Sequence, residues 1–173
     1  MMWSILKQIA RTGIATTVAP PANEIEPAQI HDQILKILGR ALTIREVDAG
    51  SCNGCELELN ALGNLIYNIE GLGIKFVASP RHADMLLITG PISRSMSQAL
   101  AVTYEAMPGP KIVVAVGDCA VNGGIFGQSY ATIGAASRLL TVDMEIPGCP
   151  PEPIVILQGI LDSVRYGLGK RLT

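Results

Sequence analysis

The sequence predicts an α/β domain in which helices cover both faces of a parallel β-sheet. From Ala41 onward, short strand-like runs alternate with helical stretches, and most of the runs are almost entirely apolar. Strands of that kind are typical of a parallel sheet that is buried on both sides. The 173 residues are about the length of one domain, which can bury a core without disulfide bonds.

The predicted elements follow one another in regular order along the chain. Short apolar runs indicate strands at residues 42–48, 74–78, 85–89, 111–116 and 141–146. Apolar residues recurring every three or four positions indicate helices at residues 56–69, 95–107, around 132–140, and 153–166. Each predicted strand except the second is therefore followed by a helix, as a parallel sheet requires.

Residues 1–40 differ from the rest and form a predicted helical N-terminal extension to the domain at 41–173. Residues 3–9 have one apolar helical face, residues 16–27 are a proline-rich linker, and residues 30–38 again show helical spacing before Gly39. The first helix suits docking on a partner subunit or on a membrane surface, and its short sequence does not decide between them.

Composition restricts the class of function. The chain carries 13 Lys and Arg against 15 Asp and Glu, and 4% aromatic residues, which argues against binding of nucleic acid. Only 16% of residues are charged and the mean hydropathy is +0.37, yet no apolar run approaches the roughly 18 residues of a membrane span. We therefore expect a subunit that partner proteins cover, in the cytoplasm because no secretory signal is evident.

The four cysteines follow predicted strands. Cys52 and Cys55 come after the first strand, Cys119 after the fourth and Cys149 after the fifth, so all four are predicted in loops. The carboxyl ends of parallel strands lie at one edge of a sheet, where ligands bind. We therefore expect the four sulfur atoms to meet at a single point.

Three interpretations of the cysteines remain open from spacing alone. Four thiolates suit a [4Fe–4S] cluster, and a cysteine followed by proline, as at Cys149, recurs in iron–sulfur binding sequences. Structural zinc is the second interpretation, although zinc sites usually take two close pairs and only Cys52 and Cys55 form one. Unrelated buried cysteines are the third.

Four sequence motifs contain or lie between the cysteines: SCNGCELE at 51–58, SPRHAD at 79–84, GDC at 117–119 with NGGIF at 122–126, and PGCPPEP at 147–153. Together they resemble the small subunit of group 4 membrane-bound [NiFe] hydrogenases, the formate hydrogenlyase and energy-converting type. The 20 kDa-type subunit of respiratory complex I is a relative of that family. The resemblance covers roughly residues 41–166.

The resemblance implies a flavodoxin-like fold and one [4Fe–4S] cluster, with Cys52, Cys55, Cys119 and Cys149 as its ligands. Complex I subunits carry adjacent cysteines at the first motif, whereas two residues separate Cys52 from Cys55, which favours the hydrogenase branch. The implied function is electron relay to or from the nickel–iron active site of a large subunit, where protons are reduced or H2 is oxidised. A complex I-like quinone or sulfur oxidoreductase subunit is the alternative, and a zinc-stabilised interaction module is the non-redox one.

The resemblance also implies partners and a location. The partners would be the hydrogenase-type large subunit, which would hold the nickel, a ferredoxin-like iron–sulfur subunit, and membrane subunits of the same complex. The protein would then lie peripherally on the cytoplasmic side of the cell membrane, as one subunit of an oxidoreductase.

Three further side chains, Glu58, Arg81 and His82, have a functional and an ordinary interpretation. The resemblance suggests a proton relay for Glu58, but carboxylates such as Glu56 and Glu58 are also common in the first turn of a helix. It places Arg81 and His82 near the large-subunit interface, where they would tune the cluster or pair with a carboxylate; loop residues of these types are more often simply solvated. Asp118 is expected to cap its loop.

Overall fold

The computed structural model describes residues 32, 34–36 and 38–169, in which strands and helices alternate. The strands are β1 (Leu42–Asp48), β2 (Ile74–Phe76), β3 (Met85–Thr89), β4 (Ile92–Ser93), β5 (Ile112–Val116), β6 (Thr132–Gly134) and β7 (Met144–Ile146). The helices are α1 (Gly54–Ala61), α2 (Arg94–Ala106), α3 (Asp118–Asn122) and α4 (Pro153–Gly169), with 3-10 turns at Pro80–His82 and Ala136–Arg138.

Five of the strands form one parallel sheet in the order β2-β1-β3-β5-β7. Ile44 of β1 is paired with Phe76 of β2 on one side and with Met85 of β3 on the other. Numbered within this sheet alone, the order is 2-1-3-4-5, which is that of the flavodoxin-like doubly wound fold. The predicted fold class is therefore confirmed.

Two hydrophobic clusters lie on opposite faces of the sheet. Every residue of β3 and β5 is buried, and alternate residues contribute to different clusters because successive side chains of a strand point to opposite faces. Leu87 and Val114 join the cluster that includes residues of α1 and α4. Ile88 and Ala115 join the cluster that includes residues of α2 and α3. Helices thus cover both faces, as predicted.

Two predicted helices differ from the structure. The helix predicted at 56–69 ends at Ala61, because the Asn64 side chain accepts hydrogen bonds from the backbone N–H groups of Ile66 and Tyr67 and forms a turn. The helix predicted around 132–140 is wrong. Its first residues form β6, which pairs antiparallel with β4, and only a 3-10 turn follows.

Most of the predicted N-terminal extension lies outside the described residues. Residues 32, 34–36 and 38 are helical, and Ile34 is buried in the cluster on the α1 and α4 face. In the described part of the chain, none of the helices has both the length and the apolar character needed to cross a bilayer.

Candidate metal centre

The four cysteines lie on three segments that follow the carboxyl ends of β1, β5 and β7. Cys52 and Cys149 are exposed loop residues, whereas Cys55 is buried and Cys119 is half-buried. The prediction that all four lie in loops is wrong for two of them, since Cys55 is in the first turn of α1 and Cys119 in that of α3. None of the four forms a disulfide bond.

Glycines allow the three segments to approach one another closely. A Cβ atom added at Gly117 would lie 2.6 Å from the Cys55 sulfur and 3.4 Å from the Gly148 carbonyl oxygen. One added at Gly54 would lie 3.5 Å from the Cys52 sulfur and 3.8 Å from Cβ of Pro150. The Cys55 sulfur therefore lies against the segment that leads to Cys119, and both glycines adjoin the segment that holds Cys149.

A third glycine, Gly124, lies in close contact with the Cys119 sulfur. Gly124 has a φ of +53°, and a Cβ atom there would lie 2.8 Å from that sulfur. A side chain at this position would be strained and would also collide with the thiol. The space around both partly buried sulfurs therefore depends on missing side chains.

Asp118 ties the Cys119 segment to the Cys149 segment. Its backbone N–H donates to the Gly148 carbonyl oxygen at 2.8 Å, and the Gly148 N–H donates to Asp118 Oδ1, also at 2.8 Å. Asp118 was expected to cap only its own loop, whereas these two hydrogen bonds join it to a segment 30 residues away.

The Cys52 loop is shaped by Asp48, which sequence analysis missed. Its Oδ1 atom accepts hydrogen bonds from the N–H groups of Gly50 at 2.8 Å and Ser51 at 2.7 Å. The loop also lies against Gly90, where an added Cβ would be 2.5 Å from the Ser51 nitrogen. An Asp followed by small residues at a strand end is the signal that could have identified this turn.

The electrostatics of the site disfavour free thiolates. Burial, and after it repulsion from Glu56, Cys119, Cys52 and Cys149, raises the pKa of Cys55 to about 12. Burial also raises the pKa of Cys119, with added repulsion from Cys149 and Cys52. Positive charge would therefore be needed for all four thiols to ionise together.

The donor set therefore fits a thiolate-ligated metal group. All four thiols are free, those of Cys55 and Cys119 are partly buried, and the backbone at Gly117 and Gly124 leaves room for these two sulfurs. Across the described residues, no group of three or more His, Cys, Asp or Glu side chains is arranged to hold a single metal ion.

Glu56 and Glu58 flank the buried face of α1 that Cys55 and Leu59 form. Glu58 is half-buried on one side of that face. Both carboxylate oxygens of Glu56, on the other side, are buried and accept no hydrogen bond from the described residues. Of the two carboxylates, Glu56 is thus the one enclosed by the protein.

The structure does not bring Arg81 and His82 to the cysteines. Both residues are exposed in the 3-10 turn before β3, and the His82 carbonyl oxygen accepts a hydrogen bond from Thr43 at 2.6 Å. Thr43 lies near the start of β1, and five residues of strand, about 16 Å at 3.3 Å each, separate it from the end that leads to Cys52.

A half-buried carboxylate that sequence analysis missed is Glu46 in β1. Burial raises the pKa of Glu46, a hydrogen bond from Thr89 at 3.3 Å lowers it, and the carboxylates of Glu56 and Asp48 raise it again. The signal in the sequence was the adjacent charged pair Arg45 and Glu46 inside an otherwise mostly apolar strand.

The comparison with protein families decides the relationship. The family model of the NADH ubiquinone oxidoreductase 20 kDa subunit matches residues 52–163, a span that contains all four cysteines. The chain belongs to this family. The predicted relationship to the 20 kDa-type subunit, and with it the expectation of an oxidoreductase subunit, is therefore confirmed.

Members of the family resemble the chain closely. It is 43% identical to the probable membrane-bound hydrogenase subunit mbhJ of Pyrococcus furiosus, over 75% of this chain and 77% of that one. It is 41% identical to formate hydrogenlyase subunit 7 of Escherichia coli over 76% of this chain, but it spans only about half, 52%, of that longer protein.

A solved structure agrees with both the fold and the family. A chain of the membrane-bound sulfane sulfur reductase, an archaeal respiratory membrane complex, superposes with a TM-score of 0.61 at 31% identity. The match covers 83% of this chain and 75% of that one. One relative is thus named as a probable membrane-bound hydrogenase subunit, and the solved structure is that of a membrane-bound respiratory complex.

Gly117→Ala tests the contact with the Cys55 sulfur. The added methyl group would occupy space next to that sulfur, so we expect the metal bound per purified chain to fall by at least half. The control is Gly127→Ala, because Gly127 also has a positive φ but has nothing within 4 Å of an added Cβ. Gly117→Ala also strains the backbone, because a φ of +86° with a ψ of 153° is a conformation that essentially only glycine adopts; thermal unfolding of both variants therefore accompanies the metal analysis. Equal metal contents in the two variants would contradict the steric argument.

Glu46→Gln tests the burial of that carboxylate. The folded-state pKa of Glu46 lies above the ordinary value of 4.5, so ionisation costs the folded state stability as pH rises through the folded-state pKa. We expect Glu46→Gln to gain stability relative to the wild type between pH 4.5 and pH 7.5, measured by thermal unfolding. Glu105→Gln, on the exposed side of α2, is the control; a pH-independent difference for Glu46→Gln would contradict the prediction.

Proposed function

We propose that the chain is an electron-transfer subunit that holds one [4Fe–4S] cluster through Cys52, Cys55, Cys119 and Cys149. The observation that carries this proposal is the close approach, at glycine contacts, of three segments that together carry four free thiols. When bound, such a cluster accepts and donates single electrons. The assignment of residues 41–173 as the cluster-binding domain and of 1–40 as a docking extension is part of the proposal.

The residues of this chain have separate roles in the proposed centre. Burial of Cys55 keeps one ligand away from solvent, and Gly117 and Gly124 leave space around the sulfurs. Asp118 holds the segments of Cys119 and Cys149 together. Because α1 begins at Gly54, its N-terminal dipole favours negative charge near Cys55.

The relatives guide the proposed partners. By analogy with the hydrogenase and formate hydrogenlyase subunits, electrons would pass to or from a nickel–iron centre in a large subunit, where protons and H2 interconvert. A ferredoxin-like subunit and membrane subunits would complete the complex on the cytoplasmic side of the membrane. Exposed apolar side chains at Ile125 and Phe126, close to Cys119 in the chain, support a protein partner at this end.

A second candidate function is reduction of sulfur or a quinone. The similarity to the sulfane sulfur reductase chain favours it, since that fold and sequence serve an archaeal respiratory complex. The purified complex separates the two functions. Nickel in the large subunit together with H2 evolution supports the hydrogenase, whereas reduction of sulfane sulfur or quinone without nickel supports the alternative.

Metal analysis of anaerobically purified protein tests the cluster itself. We expect a brown protein with absorption near about 400 nm and about four irons per chain. Cys119→Ser should lose both the iron and the colour, while Ser97→Ala, at a hydroxyl on α2, should retain them. A colourless protein with one zinc per chain would instead support the zinc-stabilised interaction module.

Glu58→Gln tests the proposed proton relay. The variant should retain the iron of the wild type, because Glu58 is not a proposed ligand. If Glu58 passes protons, turnover of the assembled complex should fall and its pH profile should change, since glutamine cannot carry a proton. Unchanged turnover and an unchanged pH profile would leave Glu58 as an ordinary carboxylate in the first turns of α1.

A further inference from the structure

A polar cleft opens beside the candidate metal centre, at the point where β2 ends. Phe76 is the last residue of β2 and pairs with Ile44, so β1 continues from Arg45 onward with β3 on one side only. The resulting cavity has a volume of about 580 Å³. Its lining includes Arg45, Glu46, Glu56, Leu59, Glu70 and Phe76, and we call it the Glu56 cleft.

Unpartnered buried polar atoms concentrate in this cleft. Within the described part of the chain, three buried side-chain atoms have no hydrogen-bond partner: Nε of Arg45 and both carboxylate oxygens of Glu56. All three belong to residues that line the Glu56 cleft. A buried carboxylate that lacks partners is costly to the folded chain, so this arrangement favours a ligand that supplies donors.

The charge of the lining indicates what kind of ligand fits. Glu46, Glu56 and Glu70 contribute three carboxyl groups against the single guanidinium of Arg45. The Phe76 side chain, 42% exposed, offers an aromatic surface at the same cleft. A guanidinium group can form two parallel hydrogen bonds to one carboxylate and can stack on an aromatic ring, which an ammonium group matches less well.

The cleft is also open to a protein segment. Part of its lining consists of exposed residues of α1 and the turn after it, namely Asn60, Gly63 and Asn68. A peptide entering here would bring backbone carbonyl groups as well as a side chain, and such a carbonyl is the acceptor that Nε of Arg45 lacks.

We propose that the Glu56 cleft receives an arginine side chain of a partner subunit, whose guanidinium binds the Glu56 carboxylate. The inference rests on the proposed function only in requiring a partner subunit. It adds a specific anchor next to Cys55, so that docking of the partner and the position of the metal centre are linked through one helix.

Variants of the intact complex test the anchor. The chain is co-expressed with its partner subunits, and the dissociation constant for the partners is compared between wild type and Glu56→Gln. We expect at least tenfold weaker association, while iron per chain stays at the wild-type value. Glu105→Gln, which removes a carboxylate from α2, is the matched control and should bind as the wild type does. Unchanged association in Glu56→Gln would overturn the proposal.

The structure of the wild-type complex provides a measurement that needs no variant and decides the case if Glu56→Gln fails to fold. A guanidinium within hydrogen-bond distance of Glu56 supports the proposal. A lysine, a second copy of this chain, a neutral segment or water alone in the cleft overturns it. Replacing the identified arginine by glutamate should weaken association, and adding Glu56→Arg should restore it.

The two proposals fail in different ways. A chain that never binds iron but still loses its partners in Glu56→Gln would refute the cluster and leave the anchor standing. A chain that binds about four irons but associates with its partners equally well in wild type and Glu56→Gln would support the cluster and refute the anchor.

Discussion

The close approach of the Cys55 sulfur to the backbone at Gly117 is the constraint on which the candidate centre depends. Gly117 combines a φ of +86° with a position where a Cβ would lie 2.6 Å from that sulfur. Both conditions require glycine, for different physical reasons: one concerns backbone strain and the other steric overlap. Since Gly117 directly follows β5, this contact places the first turn of α1 against the carboxyl end of that strand.

The same geometry determines the electrostatics. Sulfurs that lie close together and partly out of water resist ionisation, as the raised pKa values of Cys55 and Cys119 record. The fold supplies the contacts that hold the segments in place, including the paired hydrogen bonds between Asp118 and Gly148. Backbone and side-chain hydrogen bonds therefore hold together segments whose thiols are unfavourable to ionise at the same time.

Much of the fold could be predicted because its strands are buried on both faces. The predicted bounds of β1 and β3 agree with the structure, and the apolar runs at β5 and β7 identified those strands with minor differences at their N-terminal ends. The helix predicted around 132–140 failed because Thr132 to Gly134 pair with β4, a contact between segments about 40 residues apart. The local periodicity of the sequence does not predict such long-range strand pairing, because tertiary contacts determine it.

Some features of the candidate site could likewise be predicted from the sequence and others could not. Cysteine spacing and strand order were sufficient to predict that the three cysteine-bearing segments lie together, because parallel strands have their carboxyl ends at one edge of the sheet; a single point shared by all four sulfurs stays a prediction. The position of Glu56 in the cleft could not be predicted from the sequence, since the cleft exists because β2 ends at Phe76 while β1 continues past it. A difference of a few residues in strand length thus opens the side of the sheet next to Cys55. Sequence motifs identify the residues that follow strands, whereas the cavities between strands depend on how far each neighbour extends.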